Sequence, residues 1–182
     1  MATKKNNLGF TIDTLYKQHS YIQCDIVSKT LELVSSAINS SAYKDAYMIQ
    51  TGETYTLKVA TTVVETLQTL LVSKPTLCIL AYDSYPSEGQ NKMLKILEET
   101  HELIHILILF PRSSALLQTI MSRCVDITPS QAAMLSKQLI ESGIDAKTVY
   151  RIVQIMNAGA NFNIQWINDL VKFIKNDKKS IK

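Results

Sequence analysis

The residues best suited to chemistry stand in two short stretches behind apolar runs, Asn91 to Glu99 (NKMLKILEE) and Thr119 to Cys124 (TIMSRC). Arg123 in the second stretch offers a planar fork of donors that matches negative charge spreading over a transferring phosphoryl group, a geometry that lysine does not reproduce. It also reads as an arginine at the C-terminus of a short apolar helix, where the dipole alone favours it by about 0.3–1 kcal/mol. In the first stretch Glu98 and Glu99 fall at the expected helix end, against the dipole, which points to some external donor that they answer. Lys95 is spaced to pair with Glu99 in the weaker i,i+4 orientation. Leu94 and Leu97 read as core, and Asn91 at the head of the helix reads as its N-cap.

A third constellation, His101-Glu102-Leu103-Ile104-His105, spells HExxH, the signature of zinc peptidases. On a helix the two imidazoles share a face and ligate zinc while the Glu activates water. Here the pentapeptide runs directly into Ile106-Leu107-Ile108-Leu109-Phe110, which reads as a buried strand. Successive strand residues alternate faces, so that geometry is lost. No His follows His105 to serve as a third ligand, although an Asp or Glu is available to do so. The three cysteines, Cys24, Cys78 and Cys124, are odd in number and far apart, so they build neither a disulfide framework nor a CxxC half-site and read as reduced thiols.

The elements that must position these residues follow from apolar periodicity. Ser20 to Gln23 is a short strand, and Asp25 is placed to cap a helix with Val27, Leu31, Val34 and Ile38 on one face. Ala46 to Gln50 is a second strand, Thr51-Gly52 a turn, and Val59, Val63, Leu67 and Leu70 mark a helix that Pro75 closes. Leu77 to Ala81 suits a strand covered on both faces; the Asn91 helix, a strand Ile104 to Phe110, a helix Ser114 to Met121 and a strand Cys124 to Ile127 follow. Five strands alternating with helices make a doubly wound α/β domain over residues 1–128. Thr128-Pro129-Ser130-Gln131 then forms a capping box that opens a small three-helix domain over residues 129–176. In it Gly143 is a left-handed helix end, Asp145 caps the next helix with Val149, Ile152, Val153 and Met156, and Ile164 to Ile174 forms the third. Residues 177–182 are a polar tail.

At 182 residues with 46% apolar content the chain has room for one good core and a satellite, and a net charge of +3 is met by ordinary surface lysines rather than a nucleic-acid grip. The apolar run ending at Phe110 is far short of a membrane span and MATKKNN precedes no signal-like core, so the expectation is a soluble, cytoplasmic protein with no membrane partner.

Taken together, NKMLKILEE and TIMSRC resemble the NALLKxLEEP and TIxSRC signatures of the clamp-loader branch of the AAA+ ATPases, and within it the delta-prime subunits of bacterial DNA polymerase III. The likeness covers nearly the whole chain and is strongest from Pro75 to Ile127. It implies a P-loop-type core of five parallel strands with helices on both faces, then a lid. It also implies that Arg123, with Ser122 beside it, serves in trans as a finger on ATP held by a neighbouring subunit. Asn91, Lys95, Glu98, Glu99, Thr119 and Cys124 would lie at that interface. The implied partners are clamp-loader ATPase subunits, with the sliding clamp and primer-template DNA reached indirectly. The family's own nucleotide machinery is not matched. His19-Ser20-Tyr21 resembles the run opening the first strand, yet Cys24-Asp25 leads straight into a helix, and none of the five glycines is followed by Lys. The acidic pair that holds magnesium falls on Leu80 and Ala81, which cannot coordinate it; Asp83 nearby reads as turn chemistry rather than a shifted ligand. The two sensor positions, near Pro111-Arg112 and near Asn163, also depart. The expectation is a subunit that hydrolyses nothing and binds no cofactor, the ATP belonging to its neighbour. The collar-forming third domain usual in these subunits finds no counterpart before Lys182. An active ATPase with unrecognised ligands, and a zinc peptidase with a helix at His101, are the alternatives.

Overall fold

Leu77, Ile79 and Ala81 alternate with Cys78, Leu80 and Tyr82 along one uninterrupted run, and side chains of a strand point to opposite faces, so this run must be covered on both sides. The computed structural model, which describes residues 11–129, 139–140, 143–145 and 148–150, meets that demand with a three-layer arrangement. Five parallel strands are ordered β2-β3-β4-β1-β5, with β1 Ser20–Cys24, β2 Tyr47–Thr54, β3 Thr76–Ser84, β4 Ile104–Pro111 and β5 Val125–Asp126. One face of β3 and β4 (Leu77, Ile79, Ala81, Leu107, Leu109) packs with Ile22 against α1 Ile12–Leu15 and α2 Val27–Asn39. The other (Cys78, Leu80, Tyr82, Ile104, Ile106, Ile108, Phe110) packs against α3 Leu57–Thr69, α4 Ser87–Glu99 and α5 Gln118–Met121. The expected α/β architecture is therefore present, with one short helix, α1, that periodicity did not reveal.

The chain divides into two compact units, Met1–Thr128 and Pro129–Lys182. In the second, residues 139–140 and 148–150 are helical. Gly143 takes φ 80° and donates to the Ile140 carbonyl while Ile144 donates to that of Leu139, the paired bonds of a left-handed helix end. Asp145 caps the next turn through Thr148 N at 3.0 Å. The third expected helix and the polar tail lie outside the described residues. Thr128 takes the N–H of Gln23 on its hydroxyl oxygen at 2.9 Å, and the expectation that it caps a helix falls on residues outside those described.

Four local expectations are corrected. Asp25 does not cap α2, whose N-cap is Ile26 without a side-chain bond; the Asp25 carboxylate accepts instead from Arg112. Thr51-Gly52 is not a turn, because β2 continues to Thr54 alongside β3, with Gly52 opposite Tyr82. A Cβ on Gly52 would come within 3.0 Å of the Tyr82 ring, so here glycine marks a close approach inside a strand. Asn91 is an exposed interior residue of α4, which starts earlier at Ser87 behind Pro86. Finally, α5 is one turn, since residues 114–117 are not helical and are held by the contacts described below.

Gly89, in the first turn of α4, lets that helix lie on the backbone of Tyr55, where an added Cβ would sit 2.1 Å from the Tyr55 carbonyl oxygen. Backbone cannot yield as a side-chain tip can. Gly89→Ala is therefore expected to destabilise the protein by about 2–3 kcal/mol, read as a lower urea midpoint, even though alanine is the better helix former.

Candidate functional site

The two motif stretches are brought together by one buried side chain. Gln90 in α4 is 4% exposed. Its amide nitrogen donates to the carbonyls of Tyr85 at 2.5 Å and Ala115 at 3.1 Å, and its amide oxygen accepts the N–H of Leu117 at 2.6 Å. With Ala115 and Leu117 engaged sideways, residues 114–117 cannot wind into the helical ladder, which is why α5 begins only at Gln118. Ser114 adds a bond from its hydroxyl to the Asp83 carbonyl at 3.1 Å. Ile120, fully buried, then anchors the single turn of α5 against the same core that holds Met93, Ile96 and Leu97 of α4.

That anchoring delivers Arg123 to the last turn of α4. Its Nη2 lies 2.6 Å from Glu98 Oε1, and its Nη1 donates to the Thr119 carbonyl at 2.8 Å; the Arg123 side chain is 40% exposed. Arg123 is thus one donor, external to α4, that Glu98 answers. Glu99 pairs with Lys95 at 3.6 Å, the i,i+4 pair anticipated from spacing. Thr119 and Ser122 are exposed, with the Ser122 hydroxyl also donating to the Thr119 carbonyl, and Cys124 is half-buried against the core. Arg123, Ser122, Thr119, Lys95, Glu98 and Glu99 therefore belong to the neighbouring ends of α4 and α5. Asn91, also exposed, stands two turns back along α4. Burial raises the Cys124 thiol to about 12, so it is no thiolate nucleophile. An open cleft of about 380 Å³ beside this region, between the ends of α3 and α4, has an apolar wall that includes Leu67, Leu70 and Ile96, with Lys95, Glu99 and His101 at its α4 side.

At the opposite, C-terminal ends of the strands, β1 passes into α2 through Asp25 and Ile26 alone. Arg112, just beyond β4, donates its backbone N–H to the Cys24 carbonyl at 3.0 Å and its Nε to Asp25 Oδ1 at 3.0 Å. Leu80 and Ala81 are buried inside β3, which runs on to Ser84 with Asp83 exposed near its tip. The Tyr85 hydroxyl turns back beneath these tips and shares its proton between the carbonyls of Leu80 and Leu109, at 2.9 and 3.0 Å.

The HExxH pentapeptide is not helical. His101 lies in the turn after α4, its Nδ1 accepting from Leu103 N at 3.1 Å, and His105 lies within β4. The His105 ring faces His19 instead, centroids 6.2 Å apart, and His19 Nδ1 accepts the N–H of Ile106 at 3.1 Å. Among the described residues no group of three or more His, Cys, Asp or Glu is placed to hold a metal ion, and no helix is long and apolar enough to cross a membrane.

Residues 34–133 match the family of the DNA polymerase III delta subunit, more than half of the chain. The chain belongs to this family. The stretch common to the delta subunit family holds Gln90, Glu98 and Arg123 and leaves out β1. The chain is also similar to the DNA polymerase III gamma subunit-related protein of Thermotoga maritima, at 19% identity and a TM-score of 0.48, over 79% of this chain and 55% of that one. No curated protein matches it.

Sequence reading singled out Arg123 and Glu98 as candidates and passed over Gln90, whose importance is visible only once both its acceptors and its donor are folded around it. Gln90→Leu would take the partner from two carbonyls and one N–H, in a setting that is buried at Tyr85 and part-buried at Ala115 and Leu117. The expected cost is about 2–4 kcal/mol, with Leu117 amide exchange accelerated more than that of β3. The histidine pair gives a pH dependence. Burial lowers both His19 and His105 from 6.5, and the neighbouring imidazole lowers His19 further. The unfolded chain therefore binds protons that the folded one does not. Stability is full above the ordinary value and declines as pH falls below it, so the urea midpoint should drop between about pH 7 and 5 and the slope should flatten in His19→Gln/His105→Gln.

Proposed function

We propose that this chain is a non-hydrolysing, delta-prime-like clamp-loader subunit that presents Arg123 to the phosphates of ATP held by a neighbouring subunit. The observation that carries this reading is the seat of Arg123: surface-exposed, two residues before β5, on a turn clamped to the core by Ile120 and Gln90. A finger has to be rigid at its base and accessible at its tip. Its two bonds, to Glu98 and Thr119, leave the remaining guanidinium donors for a ligand, since Arg carries five. Electrostatic stabilisation by such an arginine accounts for about 10³ to 10⁵ in the rate of phosphoryl transfer.

The absence of hydrolysis by the chain itself is supported at the strand tips. A phosphate loop needs several residues of glycine-rich backbone between the first strand and its helix; two residues stand there, and one is engaged by Arg112. Magnesium needs oxygen ligands, and Leu80 and Ala81 offer none. The chain then requires no cofactor of its own. Its partners are clamp-loader ATPase subunits, and sliding clamp and primer-template DNA are met through the assembly.

A second reading has its own observation. Arg123 donates to a backbone carbonyl of its own helix and to Glu98, which suits an arginine that only closes α5. Arg123→Ala in the assembled complex separates the two. The finger reading expects assembly retained and partner ATP turnover reduced roughly tenfold or more, with Arg123→Lys failing to restore it. Unchanged turnover with a stability loss of about 1 kcal/mol is the outcome of the local role. The isolated chain, titrated with ATP and magnesium in parallel, is expected to show no saturable binding; tight binding would favour an active ATPase.

A further inference from the structure

Two acceptors hold Arg123, one on each terminal nitrogen, and they differ in kind. The Thr119 carbonyl, 2.8 Å from Nη1, is backbone and fixed. The Glu98 carboxylate, 2.6 Å from Nη2, ends a flexible side chain that is 52% exposed. A pair between two water-facing groups shifts an equilibrium by no more than about fivefold, so Glu98 holds Arg123 weakly. Nothing on its own helix favours Glu98 there, for an acid in the last turn of α4 opposes the dipole, and Lys95 is spent on Glu99.

We propose that Glu98 is a positioning residue for Arg123, keeping the guanidinium in one orientation while no phosphate is near and releasing it to the triphosphate of a neighbour's nucleotide. This rests on the finger reading above. An unheld arginine samples many rotamers, and ordering it at the moment of contact opposes binding. A carboxylate that orders it beforehand removes that cost but occupies donors that phosphate needs. Phosphate wins the exchange because it brings more negative charge and more acceptor oxygens to the same fork. Glu98 thus contributes two separable properties, shape and charge.

Three variants of the full chain, each assembled with a clamp-loader ATPase subunit from the same source and assayed with ATP, separate those properties. Glu98→Gln keeps an acceptor and removes the competing charge, so the KM for ATP falls about two- to fivefold with kcat retained. Glu98→Ala removes both, so kcat falls by about two- to fivefold while the complex still assembles. In an Arg123→Ala background both substitutions are silent, because Glu98 acts only through that arginine. On the free chain, nitrogen-15 relaxation of the Arg123 Nε shows an ordered side chain in the wild type and a loosened one in Glu98→Ala. Unaltered Arg123 dynamics in Glu98→Ala overturns the assignment. So do wild-type kcat and KM in both Glu98 variants when Arg123→Ala still lowers turnover, an outcome that leaves the finger standing. Wild-type turnover in Arg123→Ala removes the finger and this role with it.

Discussion

One buried carboxamide determines where the candidate site lies. The buried Gln90 amide makes three hydrogen bonds, one wholly buried and two part-buried, and each is worth about 1 kcal/mol net, with a larger penalty if its partner is stranded. The Glu98–Arg123 pair is half exposed and contributes at most about 1 kcal/mol. The comparison assigns the roles: the amide fixes the path from β4 to α5, and the ion pair only trims the direction of a side chain whose base is already placed. Ile120, with no exposed surface, completes the anchor. A surface arginine on an unanchored loop would have similar reach without a defined origin.

The tips of the strands follow a different logic. In a parallel sheet the C-terminal ends of the strands are where helix N-termini and loops gather to hold a ligand. Here the ends of β1 and β4 are laced to each other by Arg112, and those of β3 and β4 by the Tyr85 hydroxyl. Burial holds Tyr85 protonated, so its single proton remains available to these two carbonyls. The polar groups at these tips are thus matched largely with one another.

The layers of the domain were legible because two-sided burial leaves a plain mark: Leu77 to Ala81 and Ile104 to Phe110 are apolar throughout, and α2 and α3 carry their buried residues at helical spacing. What was not legible depended on partners distant in sequence. Gly52 carries the local signature of a turn, yet its conformation answers to the Tyr82 ring on the adjacent strand. Asn91 resembles a cap only if the helix starts there, and Pro86 together with the seating of Gly89 on Tyr55 moves the start upstream. Residues 114–117 have helical periodicity that the Gln90 amide overrides. Arg123 was found from its neighbours in the motif, whereas its pairing with Glu98 required the packing of α5 on α4.

The placement of β1 between β4 and β5 has a kinetic consequence. The first strand to leave the ribosome has no early partner: His19 meets Ile106 across 87 residues of chain, and Tyr21 pairs with Ile108 and Asp126. Non-local closure of this kind is slow, and until it occurs an apolar segment stays uncovered. Arg123 stands two residues before β5, the strand that seals the far side of β1. Its final position is therefore reached only when the sheet is complete, so a half-synthesised or partly unfolded chain cannot offer the arginine in its native setting.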